Sequence, residues 1–494
     1  MGYKKYVTLL VVSVALCAVV VSSPIYAEDR FADESLRQAA IELSEFITIS
    51  GPNPILKPDT RTTWDDENIE AGDAFEDLGT YYLYYHAIGS GGTKTYEYQI
   101  GVATATNPTG PFKKHGLDPI LRVGPEGSWD DSAVACPMIL KEGDEKYYMW
   151  YAGIGIDEGS EQEHKQESEQ GFDVWCVGLA TASNPLGPWK KYEGNPILKD
   201  FGYIGGVIKH DGKYRIYSVH PISAPGYQGD YGPLAVALAD KPEGPYVKYA
   251  GNPIMAKGNP GDWDDGGPSE AEVLYHNGMF HLFYGGARIY GPRLESFGYA
   301  YSFDGFKWYK YGKNPVAAYQ NSPMLYAFAE VHSIIELPYI YVYHTIKPEH
   351  YPGRQYPWDY GGEHLGMHVL VTKKPFSIDM PAFYMENIGA GSTTKLGDAR
   401  PINLSNVSRL SLTVECKYSK NAKKPIRVHV RSSYDGVKYD TTDLYTLDSD
   451  LQPGRLTRKT FQLDCKMHFI MVIVENLDQS ESVSEVQITA TLGG

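Results

Sequence analysis

The chain has 494 residues, with 45 lysines and arginines against 61 aspartates and glutamates, for a formal net charge of −16. Such an acidic balance argues against nucleic acid and anionic membranes as partners, since both are bound through basic patches. The length and a 42 % apolar content allow a sizeable core and more than one domain.

Residues 1–27 read as a signal peptide. Lys4 and Lys5 form a basic start, Val7 to Val21 an apolar run of 15 residues, and Ile25-Tyr26-Ala27 a cleavage site. The run is short for a membrane span, so the expectation is a secreted or periplasmic protein with no membrane association after cleavage. Residues 28–50 form an N-terminal extension in which Asp33 to Phe46 is expected to be a short helix.

An Asn/Asp-Pro-aliphatic signature then returns five times, at Asn53-Pro54-Ile55, Asp118-Pro119-Ile120, Asn195-Pro196-Ile197, Asn252-Pro253-Ile254 and Asn314-Pro315-Val316. The proline spacings are 65, 77, 57 and 62 residues. A period of this size filled with strand patterns predicts a five-bladed β-propeller over residues 51–382, one four-stranded blade per repeat. Each repeat holds an aromatic second strand, such as Tyr81-Tyr82-Leu83-Tyr84-Tyr85 or Tyr147-Tyr148-Met149-Trp150-Tyr151, and three carry a Gly-Pro-aromatic outer strand, as at Gly187-Pro188-Trp189. From residue 383 to 494 short alternating runs such as Ile426-Arg427-Val428-His429-Val430 predict a β-sandwich, carbohydrate-binding or structural. The fold class is therefore all-β. Cys136, Cys176, Cys416 and Cys465 divide two and two between the halves, which suits local disulfides or buried thiols equally.

In a propeller the first strand of each blade lines a central funnel. Counting back from each aromatic strand aligns Asp73, Met138, Gly206, Glu272 and Glu330 at one level. Two residues earlier stand Ala71, Cys136, Ile204, Glu270 and Phe328, and His332 follows Glu330 by two. Carboxylates embedded in otherwise apolar strands are expensive to desolvate unless they have partners or chemistry. Asp73, Glu270, Glu272, Glu330 and His332 are thus the catalytic candidates. His86, His220, Arg288, Arg293 and His344 lie after the aromatic strands or in the long loops that follow them, and are candidates for substrate contact. Glu158 to Gln170 reads as a solvated flap. The recurring Trp64-Asp65-Asp66, Trp129-Asp130-Asp131 and Trp263-Asp264-Asp265 triplets read as turn-forming units, because one active site does not need three copies of its acids.

With its Asn-Pro-Ile-Leu signatures, its Trp-Asp-Asp triplets and Ser183-Asn184-Pro185-Leu186-Gly187-Pro188-Trp189, the stretch Asn53 to Pro381 resembles the five-bladed propeller glycosidases. These comprise glycoside hydrolase families 32, 43, 62, 68, 117 and 130. The resemblance implies hydrolysis of a glycosidic bond by an aspartate from blade one and a glutamate from blade four, places matched by Asp73 and by Glu270 or Glu272. It departs in the middle blades, where Tyr203-Ile204-Gly205-Gly206-Val207 and Cys136-Pro137 carry no carboxylate. Glu330 and His332 add polar groups in blade five, as in family 117. On this reading Asp73 is the base, Glu270 the acid, and Arg288 and Arg293 contacts for an anionic sugar substituent. No cofactor is required, although a funnel ion such as calcium is compatible. A glycan-binding protein without turnover, and less favourably a glycoside phosphorylase, are the alternatives.

Overall fold

The computed structural model describes residues 46–92, 97–155, 175–201, 203–219, 233–287, 295–318, 329–346 and 362–494, with backbone alone at Ser269, Glu270, Ala287, Glu295 and Ala329. The expected signal peptide, residues 33–45 of the expected helix, and the Glu158 to Gln170 flap lie outside these residues.

Five antiparallel sheets carry the first part of the chain. Blade one is Asn68–Asp77, Thr80–Ile88, Gln99–Ala105 and Lys113–Lys114. Blade two is Ala133–Lys141, Tyr147–Ile154, Cys176–Ala182 and Lys190–Lys191. Blade three is Tyr203–His210, Lys213–Val219, Ala235–Ala239 and Val247–Lys248. Blade four is Pro268–His276, Met279–Ala287, Glu295–Ser302 and Trp308–Lys310, with the short strand Ala317–Ala318 also pairing the third. Blade five takes Ala329–Glu336, Tyr339–Ile346 and His364–Val371 from one end of this region and its outer strand, Ile47–Ser50, from the other. The innermost strands touch in cyclic order, with blade five meeting blade one. The N-terminal strand therefore closes the ring.

Closure reassigns the repeat signature by one blade. Asn53 does not open blade one; it belongs to blade five, where its amide pairs with the backbone of Met367 in the third strand. The same device recurs. Asn314 Oδ1 accepts the Tyr299 N–H at 2.9 Å while Nδ2 donates to the Tyr299 carbonyl at 2.9 Å. Asn252 binds Val236 likewise, and Asn195 binds Leu179. An asparagine amide mimics a strand residue here, satisfying both polar groups of an edge backbone. Asp118 has no N–H to offer; its side chain stays in solvent against Arg122.

The Trp-Asp-Asp units are ties of the same structural kind. In blades one, two and four the first aspartate is buried and accepts from the tyrosine of the second strand and the lysine of the outer strand. Asp65 takes Tyr85 and Lys114, Asp130 takes Tyr151 and Lys191, and Asp264 takes Tyr284 and Lys310. The tryptophan packs on that tyrosine in each case. Buried carboxylates are thereby paired, as their desolvation demands.

The sandwich joins the sheet Ser377–Ile388, Val483–Gly493, Arg409–Tyr418 and Leu456–Leu463 to the sheet Ile402–Asn403, Phe469–Asn476, Ile426–Ser433 and Tyr445–Asp448. Its first strand starts at Ser377, before the boundary read from the sequence. One hydrophobic cluster runs from its interior through Phe376 and Met380 into Tyr343 and Met367 of blade five and Leu83 of blade one. No disulfide links Cys136, Cys176, Cys416 and Cys465. We expect Asn314→Ala to cost about 1–3 kcal/mol in urea unfolding, through two unmet backbone groups. Asp118→Ala, at an equivalent place in the repeat but exposed, should stay within about 0.5 kcal/mol.

Candidate active site

Every innermost strand carries a bulge, between Ala71 and Asp73, Ala135 and Met138, Ile204 and Val207, Ser269 and Ala271, and Ala329 and His332. A bulge breaks period-two alternation and re-aims the residues on its two sides. Gly72 allows it in blade one: a Cβ there would meet the Pro137 ring of blade two at 2.6 Å. Cys136 and Glu330 hold positive φ, at 47° and 43°, at the equivalent step. Left-handed backbone at a non-glycine residue is strained and tends to mark functional ground.

The register moves the blade-five alignment. Asp73 pairs with Tyr84, Met138 with Trp150, and Glu272 with Phe283, but it is His332 that pairs with Tyr343. Blade five turns tightly at Leu337-Pro338, so Tyr339 faces Glu336 where Thr80, not Tyr81, faces Asp77 in blade one. His332 thus stands level with Asp73 and Glu272, and Glu330 rises to the bulge level of Glu270. Phe328 lies outside the described residues.

Two triads result, stacked along the funnel. In the deeper one, donor atoms of Asp73, Glu272 and His332 lie within 4.8 Å of one another, all three residues being buried. Asp73 accepts the Ala74 N–H at 2.8 Å and, across the blade boundary, the Ile139 N–H at 2.6 Å. Glu272 accepts the Ser333 N–H of blade five. Burial pushes the Asp73 carboxyl up to about 7, against the pull of the Ile139 N–H and of Glu272. Burial and then the neighbouring Asp73 push Glu272 well above the usual carboxylate range. Burial, helped by nearby His86, lowers His332 to about 3 and keeps it neutral. The touching pair therefore keeps a shared proton to higher pH than a free carboxyl does. Glu272, accepting the fewer backbone N–H groups, is its natural holder.

The second triad sits nearer the starts of the inner strands. It joins Glu70, His86 and Glu330, again with donor atoms within 4.8 Å and all three buried. Glu70 is the residue that alternation from Asp73 hides: counting by two lands on Ala71, whereas the bulge pairs Glu70 with His86. Glycine inside a strand is the signal that reveals it. Glu70 accepts from Asn68 Nδ2 and the Tyr98 hydroxyl, each at 2.6 Å, and meets His86 Nε2 at 3.1 Å. His86 also packs edge-on to Tyr98, while its buried Nδ1 has no hydrogen-bond partner among the described residues. A carboxylate that fixes one imidazole nitrogen leaves the other poised for proton transfer.

Among the remaining candidates, the side chain of Glu270 and the whole of His220, Arg288 and Arg293 lie outside the described residues. His344 lies in the second strand of blade five. It is fully buried there, 2.9 Å from His368 Nδ1 and packed against Phe297. Both triads combine two carboxylates with an imidazole. That donor set suits a divalent transition metal better than calcium, whose ligands are oxygens.

No family model matches the chain, and no curated protein does. Solved structures similar to it include Zg3597, a family 117 glycoside hydrolase from Zobellia galactanivorans, at 16 % identity over 67 % of this chain and 90 % of that one, with a TM-score of 0.44. An α-L-arabinofuranosidase from Lactobacillus brevis is 14 % identical over 64 % of this chain and 92 % of that one, with a TM-score of 0.42. A glycosyl hydrolase from Bacteroides ovatus is 15 % identical over 65 % and 93 % respectively, with a TM-score of 0.46.

The deep triad leaves a signature in stability. An acid whose folded pKa is raised binds more protons folded than unfolded, so its contribution is lost as pH rises from the unfolded value, about 4, through the folded one. Lowered histidines such as His332, His344 and His368 act in the opposite sense below about 6.5, so the comparison must be with a variant. Between pH 5 and 7 the wild type should lose on the order of 1 kcal/mol per pH unit relative to Glu272→Gln, read by thermal unfolding.

Proposed function

We propose that the protein is an exported glycoside hydrolase acting on a polysaccharide or oligosaccharide at the propeller funnel. The observation that carries this reading is the convergence of Glu70, Asp73, Glu272 and Glu330, from three blades and far apart in sequence, on two contacting levels of one buried axis. Hydrolysis of a glycosidic bond needs one group to protonate the leaving oxygen and another to activate water or attack carbon.

The Asp73 and Glu272 carboxyls do not flank a bond well. They touch one another, whereas carboxyls on either side of a sugar carbon stand about 5–5.5 Å apart in retaining enzymes and roughly 6.5–9.5 Å apart in inverting ones. Their place is beneath the substrate, holding a proton and biasing the groups above. Glu330, on its strained bulge, and His86, oriented by Glu70, stand within 4.8 Å of one another and so serve one side of the bond, with Glu270 as the partner across it. Glu270 holds the equivalent step of blade four and is the carboxyl that would complete the ring of acids around the sugar. Asp73 as the base is replaced in this proposal by the residues of the shallower triad.

Purified protein should release reducing ends from at least one member of a panel of fucosides, galactosides, arabinosides and marine polysaccharide oligomers. Glu330→Gln and His86→Ala should each lower kcat by about 100-fold or more with unfolding midpoints near wild type. Full activity in both variants would overturn the assignment. Binding across the panel without turnover would favour a glycan-binding protein, and strict dependence on inorganic phosphate a phosphorylase.

A further inference from the structure

Away from the funnel, a cavity of about 570 Å³ lies where the outer edge of blade one meets the sandwich. Its floor is a row of side chains on one face of the sheet. Tyr384 pairs in register with Gln487, Gln487 with Glu415, and Glu415 with Arg458, so the four stand side by side across four strands. Neighbouring strands lie about 4.8 Å apart, which gives the row a length of roughly 14 Å, the reach of two or three sugar rings. The wall is the end of blade one, with Thr104, Asn107 and Lys113.

The lining chemistry is selective. Hydroxyl, amide, carboxylate and guanidinium groups alternate, and the apolar contribution comes mainly from Ala105, Pro111, Pro381 and the Tyr384 ring. Charges cancel, with Lys113 and Arg458 opposing Asp379 and Glu415. Glu415 and Arg458 approach only to 3.9 Å, so both keep hydrogen-bonding capacity for a third party. Lys113 lies 5.1 Å from the centre of the Tyr384 ring and 3.5 Å from its hydroxyl, fixing the ring in place. A neutral, hydroxyl-rich ligand fits this surface. A sulfated or nucleic acid chain would find no net positive charge, and a protein would find little apolar area.

The position excludes participation in the funnel chemistry. Thr80 and Ala105 end their strands at the hairpin side of blade one, whereas His86 and Gln99 mark the funnel-mouth side. We infer that this groove is a second carbohydrate site, which holds a neutral oligosaccharide segment of the polymer whose other part enters the funnel. The inference rests on the glycan reading of the preceding section, but its test does not use turnover. Two linked contacts on one polymer raise the effective concentration of substrate at the funnel without adding to the chemistry.

The test is affinity electrophoresis of the full chain in native gels containing arabinan, β-1,4-galactan or agarose oligomers, with carrageenan as the sulfated control. At least one neutral polymer should retard the wild type. Tyr384→Ala and Gln487→Ala should each weaken that retardation by about tenfold, while Glu330→Gln keeps it. Tyr384→Phe, which retains the ring, should stay within about threefold, separating loss of the platform from loss of fold. The inference is overturned if no neutral polymer retards the protein, if Glu330→Gln alone abolishes retardation, or if neither groove substitution alters it. Retardation without hydrolysis on any substrate would leave the groove standing and remove the glycosidase reading.

Discussion

The arrangement of acids depends on ring closure. Ile47–Ser50 completes blade five from the far end of the propeller region, and its pairing with His364–Val371 brings blade five against blade one. Neither triad exists without that seam. Glu70 and His86 come from blade one and Glu330 from blade five, while Asp73 of blade one meets Glu272 of blade four through a level completed by His332. Backbone donors cross the same boundaries: Ala71 N–H reaches Thr345 of blade five, and Ser333 N–H reaches Glu272 of blade four. The funnel is an interface between blades, and its electrostatics are a property of their packing.

Inside the funnel, dielectric and geometry act together. Carboxyls placed a few ångströms apart in a dry environment cannot all ionise, because the cost of burying charge is compounded by like-charge repulsion. Backbone N–H groups offset part of this for Asp73. The neutral imidazole of His332 adds polarity without charge.

Much of this was legible from residue patterns. Aromatic strands and the Asn-Pro period disclose the blades, since a buried edge backbone needs a partner and asparagine supplies it in four of the five copies. The Trp-Asp-Asp triplets disclose themselves as ties through recurrence. Two things were hidden. Closure by Ile47–Ser50 makes the first signature serve the last blade, which no local pattern records. A bulge shifts the facing of residues by one, so Glu70 escaped, and the tighter turn of blade five shifts its count, so Glu330 was placed a level too deep. Both failures come from long-range register, which a period-two rule treats as fixed.

The shared hydrophobic cluster gives the sandwich a role that its sheets alone do not suggest. It touches blades one and five, the two that flank the seam, and stitches to the closing segment through Asn406 to the Thr48 carbonyl and Arg400 to the Ile55 carbonyl, bonds spanning 358 and 345 residues of sequence. Contacts of such separation form late and slowly in folding. The sandwich is therefore a clasp over the joint of the annulus. Shear between blades at that joint would have to prise open a core belonging to both modules, so the funnel borrows its rigidity from a neighbour that, among the described residues, contributes none to either triad.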